Sequence, residues 1–168
     1  IPPLLFRILL FFPLYEAGSR KFANFSSTSD WFASLGMPMP DVMTFLAASA
    51  EMIGGIFILI GFATRWAAIP LMITMLVAAF AVHWDNGWYA IAQSSDPEVG
   101  NRLDMARSIL KEYGNYNWLT AKGSYAILQN GIEFAATYFI MLASLFVTGG
   151  GRYFSVDYWR GKAFPKDA

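Results

Sequence analysis

The sequence predicts an all-helical integral membrane protein: a bundle of four spanning helices, with an amphipathic helix in the long loop between the third and fourth spans. Three observations carry this expectation. Of the 168 residues, 56% are hydrophobic and 14% charged, whereas an ordinary soluble domain is nearer a quarter charged. Several apolar stretches approach the roughly 20 residues that cross a bilayer core of about 30 Å at 1.5 Å per residue. Trp84, Trp88, Tyr89, Tyr116 and Trp118 flank the predicted span ends, as aromatic rings do at headgroup level.

The spans are expected at 3–22, 41–62, 66–83 and 125–148, in a single membrane domain covering 1–168. The first contains Arg7 and Pro13. The chain opens on Ile1-Pro2-Pro3 without a methionine, which leaves room for a longer first span or a removed leader. The second opens on Pro40-Asp41 as first-turn and N-cap material and is interrupted only by Glu51 and Gly54-Gly55. Only Ala63-Thr64-Arg65 separates it from the third, so the two form an antiparallel hairpin. The fourth carries Asn130 and Glu133 and ends at Gly149-Gly150-Gly151.

Two longer connections follow the odd-numbered spans. The first predicts a short helix over Asp30–Leu35, ended by Gly36, Pro38 and Pro40. In the second, Asp96 caps a helix with Pro97 at its first position. Val99, Leu103, Ala106, Ile109, Leu110 and Tyr113 then recur at helical spacing, as in a helix lying on the membrane or packed against the bundle.

Composition excludes several function classes. Lys+Arg and Asp+Glu balance at 12 each, which provides no large basic surface for nucleic acid. With no cysteine, thiol nucleophiles and thiolate metal sites are excluded. A single histidine excludes a multi-histidine metal or haem-pair site within the chain. The sequence GGGRY follows a membrane helix, not a strand, so it is not a phosphate-binding loop. Arg65, Arg152, Arg160, Lys162 and Lys166 lie on the side of both termini. By the positive-inside rule, that side is expected to be cytoplasmic.

Ionisable groups inside a span are costly, so each is a site candidate. Glu51, about 11 residues from the terminal-side end of its span, falls near the midplane at 1.5 Å per residue, and Arg7 is its expected partner. Tyr15, Glu16, His83 and Glu133 fall at a common depth near the opposite boundary. They are read as a proton or polar-ligand site serving a quinone headgroup, as a metal site of Glu16, His83 and Glu133, or as a structural network. Glu16 pairing with Arg20, His83 as an interfacial group touching Trp84 or Asp85, and Glu133 satisfied by Asn130 or a tyrosine are the structural alternatives. Asn130, Glu133 and Thr137 are expected to form a polar stripe on the fourth helix, and Thr44, Ala48, Glu51 and Gly55 one on the second. Ala47, Ala48, Ala50, Gly54 and Gly55 are read as close-packing residues. Met52, Met72, Met75 and Met141 are read as gap-fillers, not copper ligands.

Along nearly its whole length the chain resembles the DoxX family of small four-helix membrane proteins, and especially its HvfX-like branch. The resemblance runs in order through Arg7, Gly18, Lys21-Phe22, Trp31-Phe32, SLGMPMP, Glu51 with Gly54-Gly55, Gly61, Thr64-Arg65, HWDNGW, Asn130 with Glu133, and GGGRYFSVD. The long insertion after the third span fits the HvfX-like branch. The resemblance implies a bacterial inner-membrane protein. Some relatives are subunits associated with thiosulfate–quinone oxidoreduction, and others accompany oxidative-stress or copper-handling systems.

Three functions follow as expectations. The first is a membrane subunit of a redox assembly that holds a quinone or lipid and is not catalytic alone, with Arg7, Glu51, His83 and Glu133 managing charge or protons. The second is a structural or accessory subunit docking a larger membrane partner or a second copy. The third is a small-solute or ion transporter.

Overall fold

The computed structural model of the protein describes residues 1–163. Lys166, counted above among the terminal-side bases, lies outside the described residues. Among them the chain forms eight α-helices and no strand: α1 (Pro2–Ala23), α2 (Phe25–Ser34), α3 (Pro40–Ile60), α4 (Thr64–Val77), α5 (Pro97–Tyr113), α6 (Tyr116–Leu119), α7 (Glu133–Thr148) and α8 (Val156–Ala163). A π-helical turn at Ala78–His83 and a 3-10 turn at Trp84–Asn86 continue α4. The chain divides into two compact units, one of Ile1–Val82 with the chain from Ala135 onward, the other of His83–Phe134.

Among the described residues two helices are long and apolar enough to cross a membrane, Pro40–Ile60 and Thr64–Asn86. Only 33% and 28% of their most apolar windows are buried. A core helix of a soluble protein would be mostly covered, so these faces need an apolar surrounding. α1 has the length of a span at 22 residues but carries Arg7, Glu16, Arg20 and Lys21.

In the first unit, side chains of four helices share one core: Leu10 and Leu14 of α1, Ile58 of α3, Ala67, Ala68, Leu71 and Met75 of α4, and Leu142 and Leu145 of α7. α1 presents Arg7, Leu10, Leu14 and Gly18 as its buried stripe, at three- and four-residue spacing. On α3 the predicted stripe of Thr44, Ala48, Glu51 and Gly55 is buried. The two stripes meet closely: a Cβ on Gly18 would lie 2.6 Å from the Met52 nitrogen and 2.8 Å from the Ala48 oxygen. Gly54 packs on Leu71 of α4 and Gly55 on Leu14 of α1, which is the close-packing role expected of the small residues.

Local signals explain the boundaries. α2 starts earlier than Asp30 because the Asn24 carbonyl accepts the hydroxyls of Ser27 at 3.0 Å and Thr28 at 2.9 Å, nucleating a turn there. Asp41 is not the N-cap of α3. Met39 holds that position, and Asp41 instead accepts the Ser29 hydroxyl at 2.5 Å, tying α2 to α3. α3 ends at Gly61 (φ 66°), where Gly61 and Phe62 donate back to Ile58 and Phe57.

In the second unit, the Asp96 carboxylate accepts the Glu98 N–H at 2.9 Å and Pro97 starts α5, as expected. Leu103 of α5 is buried, whereas Ile109 and Tyr113 of the predicted apolar pattern are exposed. The largest departure is the fourth span. A helix from 125 is replaced by extended chain, with Leu128 bridging antiparallel to Ile91 and the helix starting only at Glu133. Asn130 is left-handed (φ 61°), and a Cβ on Gly131 would lie 2.5 Å from the Tyr89 oxygen. The carbonyls of Tyr89, Gly87 and Trp88 accept the N–H groups of Gly131, Ile132 and Glu133. Backbone pairing with 87–90 therefore satisfies the groups at the helix start that a longer helix would otherwise engage.

Gly18→Ala is expected to lower stability by about 1–3 kcal/mol through overpacking on α3. Gly123→Ala, where a Cβ meets nothing within 4 Å, is expected to leave it unchanged. Equal thermal midpoints for both variants in detergent would contradict the close α1–α3 approach.

Candidate functional site

The polar residues singled out in the sequence fall into three groups, two in the first unit and one in the second. The first is built on Arg7, which is fully buried. Its Nε donates to the Ile58 carbonyl at 2.8 Å and Nη1 to the carbonyls of Gly150 at 2.9 Å and Tyr153 at 3.0 Å. Nη2 donates to Leu59 at 2.5 Å and Phe154 at 2.6 Å. A guanidinium has five N–H groups, so the set is complete. Two of the acceptors, the carbonyls of Ile58 and Leu59, lie in the last turn of α3, the negative end of that helix.

Gly61 makes room for this arrangement, since a Cβ there would sit 2.9 Å from Arg7 Cζ. The acidic group whose charge reaches Arg7 is Asp157. Its carboxylate accepts the N–H of Ala63 at 2.7 Å and of Thr64 at 2.8 Å, capping the start of α4. Ser155 donates to the Gly61 carbonyl at 3.2 Å.

The expected Arg7–Glu51 pair does not form. Glu51 instead accepts from Lys21 Nζ at 2.5 Å, with the glutamate side chain 7% and the lysine 21% exposed. The sequence signal for Lys21 was its spacing: Arg7, Leu14 and Lys21 are seven apart and fall on one face of α1.

The third centre lies in the second unit. His83 Nδ1 meets the Asn130 carbonyl at 2.8 Å. A carbonyl only accepts, so Nδ1 carries a proton there and Nε2 is the ring nitrogen left to take up or release one. Asn86 donates to the same carbonyl at 3.1 Å, and Gln129 donates to the Asn86 carbonyl at 2.7 Å. Glu133 accepts the Ala90 N–H at 3.0 Å.

The expected stripe of Asn130, Glu133 and Thr137 on one helix face is absent, because Asn130 precedes α7 and Thr137 is exposed. Tyr15 stacks on Phe11 at 5.4 Å between ring centroids, and Glu16 pairs with Arg20 at 2.6 Å on the surface. Among the described residues no three His, Asp or Glu side chains gather to hold a metal ion.

Two surface grooves occur in the first unit. One, of about 560 Å³, is lined by Arg65, Trp66, the glycines 149–151, Arg152, Asp157 and Tyr158 among others. The other, of about 390 Å³, is lined by Phe154 to Val156, Trp159, Arg160 and Ala163. Glu51 and His83 line neither.

Arg7, Lys21, Glu51 and His83 all belong to the stretch from α1 to the turn after α4. Residues 3–84 match the DoxX family. The match covers just under half of the chain and stops at Trp84, before α5 and α7. A protein of Bacillus subtilis (strain 168) named "Putative oxidoreductase CatD" is 30% identical over 82 residues. That alignment takes in 49% of this chain and 60% of the relative's length. No solved structure matches the chain significantly.

Double-mutant cycles separate the two possible partners of Glu51. Lys21→Met and Glu51→Gln are each expected to cost about 3 kcal/mol, because either leaves a buried polar group unpaired. Combined, they are expected to cost less than their sum, whereas Arg7→Met and Glu51→Gln are expected to add. Coupling between Arg7 and Glu51, with additivity between Lys21 and Glu51, would reverse the assignment.

Proposed function

We propose that the chain is a DoxX-type membrane protein of a bacterial inner membrane, a four-span bundle serving an oxidoreductase system, with both termini cytoplasmic. It holds a quinone-type lipophilic carrier beside His83, while electrons come from a partner protein. The DoxX match over residues 3–84 and the oxidoreductase name of the Bacillus relative support the class. The long turn-rich segment after Trp84 supports the HvfX-like branch.

The observation that carries the proposal is the division of labour among the polar groups. Arg7, Lys21 and Glu51 spend their hydrogen bonds inside the chain, on backbone carbonyls or on each other. Such groups hold helices in register and leave little for a substrate. His83 is different. Its ring is fixed at Nδ1 by a backbone carbonyl, and Nε2 has no partner among the described residues. It stands near the end of the apolar helix Thr64–Asn86 and is followed in sequence by the exposed rings of Trp84, Trp88 and Tyr89, which suit the membrane interface. An imidazole held at Nδ1, with Nε2 left to take up or release a proton, is suited to moving one to or from a carbonyl-bearing ring.

The complete bonding of Arg7 favours one other reading, a non-catalytic accessory subunit whose polar groups only brace its helices. The two readings separate on purification from native membranes. The redox reading expects about one quinone per chain, with His83→Ala losing at least tenfold of it at an unchanged thermal midpoint. Retention of quinone by His83→Ala would reject the role of His83. A large protein partner with no carrier on wild type would establish the accessory reading.

A further inference from the structure

The end of the first unit that holds Arg7 carries a feature the redox reading does not use. Arg65 and Arg152, both exposed, line the groove of about 560 Å³. Arg65 donates to the Val147 carbonyl at 3.1 Å. Arg152 donates to the Tyr153 hydroxyl at 3.0 Å and lies 5.1 Å from the centre of that ring. Most N–H groups of both guanidiniums therefore have no partner among the described residues. The carboxylate lining the groove, Asp157, gives its two oxygens to the N–H groups of Ala63 and Thr64. The groove thus offers planar, charged donors suited to a phosphate and no free acid for an ammonium group.

A second groove adjoins it at Ser155, which lines both. Its lining is mainly apolar, with Phe154, Val156, Trp159 and Ala163. Phe154 is 82% exposed, Trp159 59%, and Trp66 on the basic groove 77%. These rings lie near the ends of α3, α4 and α7, where a bilayer interface would fall. A free phosphate would use only the basic groove, whereas a molecule joining phosphate to hydrocarbon uses both.

We propose that the paired grooves bind one anionic phospholipid. Its phosphodiester lies on Arg65 and Arg152, and its glycerol and upper acyl region lies along Phe154, Val156 and Trp159. A headgroup without an ammonium is preferred, because Asp157 is already engaged. Anionic lipids enrich the cytoplasmic leaflet and attract basic segments beside spans, in keeping with the proposed orientation of this end. The site is independent of any quinone and of His83.

The test uses the full chain in detergent with phosphatidylglycerol, phosphatidylcholine or inorganic phosphate, read by native mass spectrometry and thermal unfolding. Wild type is expected to retain one phosphatidylglycerol and to melt higher with it, with at least tenfold less retention of phosphatidylcholine. The double variant Arg65→Gln with Arg152→Gln is expected to lose this preference. Arg102→Gln, altering an exposed arginine of α5, is expected to keep it. Equal retention of the two lipids by wild type overturns the proposal, as does an undiminished preference in the double variant. Stabilisation by inorganic phosphate equal to that by phosphatidylglycerol overturns the lipid assignment in favour of a soluble anion. The wild-type melting comparison stands even if the double variant fails to fold.

Discussion

The hydrogen bonds of the Arg7 guanidinium are the constraint on which the first unit depends. A buried cation without a hydrogen-bonded carboxylate is expensive, and it persists only where its donors are all met. Here five carbonyls meet them, drawn from the end of α3 and from the segment between α7 and α8. Those two segments are about 90 residues apart in sequence, so one side chain on α1 fixes where both segments must lie. The arrangement then propagates. Gly61 accepts from Ser155 and from the Asp157 N–H, and the Asp157 carboxylate caps α4. A charge on the first helix thus sets the start of the third long one.

Further along α1, the same face is secured differently. Gly18 lets the helices approach so closely that α3 backbone atoms fill the space of a side chain. Beyond it, Lys21 reaches Glu51. The buried stripe of α1 is therefore a sequence of distinct devices: cation on carbonyls, leucine packing, a glycine contact and an ion pair. Each fixes the helix at a different level, which specifies rotation and register together. Packing of leucines alone would leave the rotation less sharply defined.

Much of this was legible in the sequence. Apolar length located α3 and the helix from Thr64, and the three-residue turn between them required a hairpin. Spacing placed Thr44, Ala48, Glu51 and Gly55 on one buried face, and Asp96-Pro97 marked the start of α5. What escaped were interactions depending on pieces far apart in sequence. Arg7 was matched to the nearest acid in depth, because counting residues weighs charges and overlooks the carbonyls at a helix end. The fourth span was drawn too long because hydropathy does not register that Asn130 and Gly131 fold back on 87–90. Asp157 was visible only as the end of a family pattern, with nothing local to reveal a helix cap some 93 residues away.

The division between bonded and available groups links this architecture to function. Charges within the helices are consumed in holding them, while His83 and the arginine-lined groove present unspent nitrogen atoms at surfaces. The most direct test of the account is amide hydrogen exchange on the Arg7→Lys protein in detergent. An ammonium has three donors in place of a planar five, so exchange is predicted to quicken together at residues 58–61 and 150–157. Rates at 97–113, in the other unit, are predicted to stay as in the parent. Acceleration confined to α1, or unchanged rates in both distant segments, would contradict the central role assigned to Arg7.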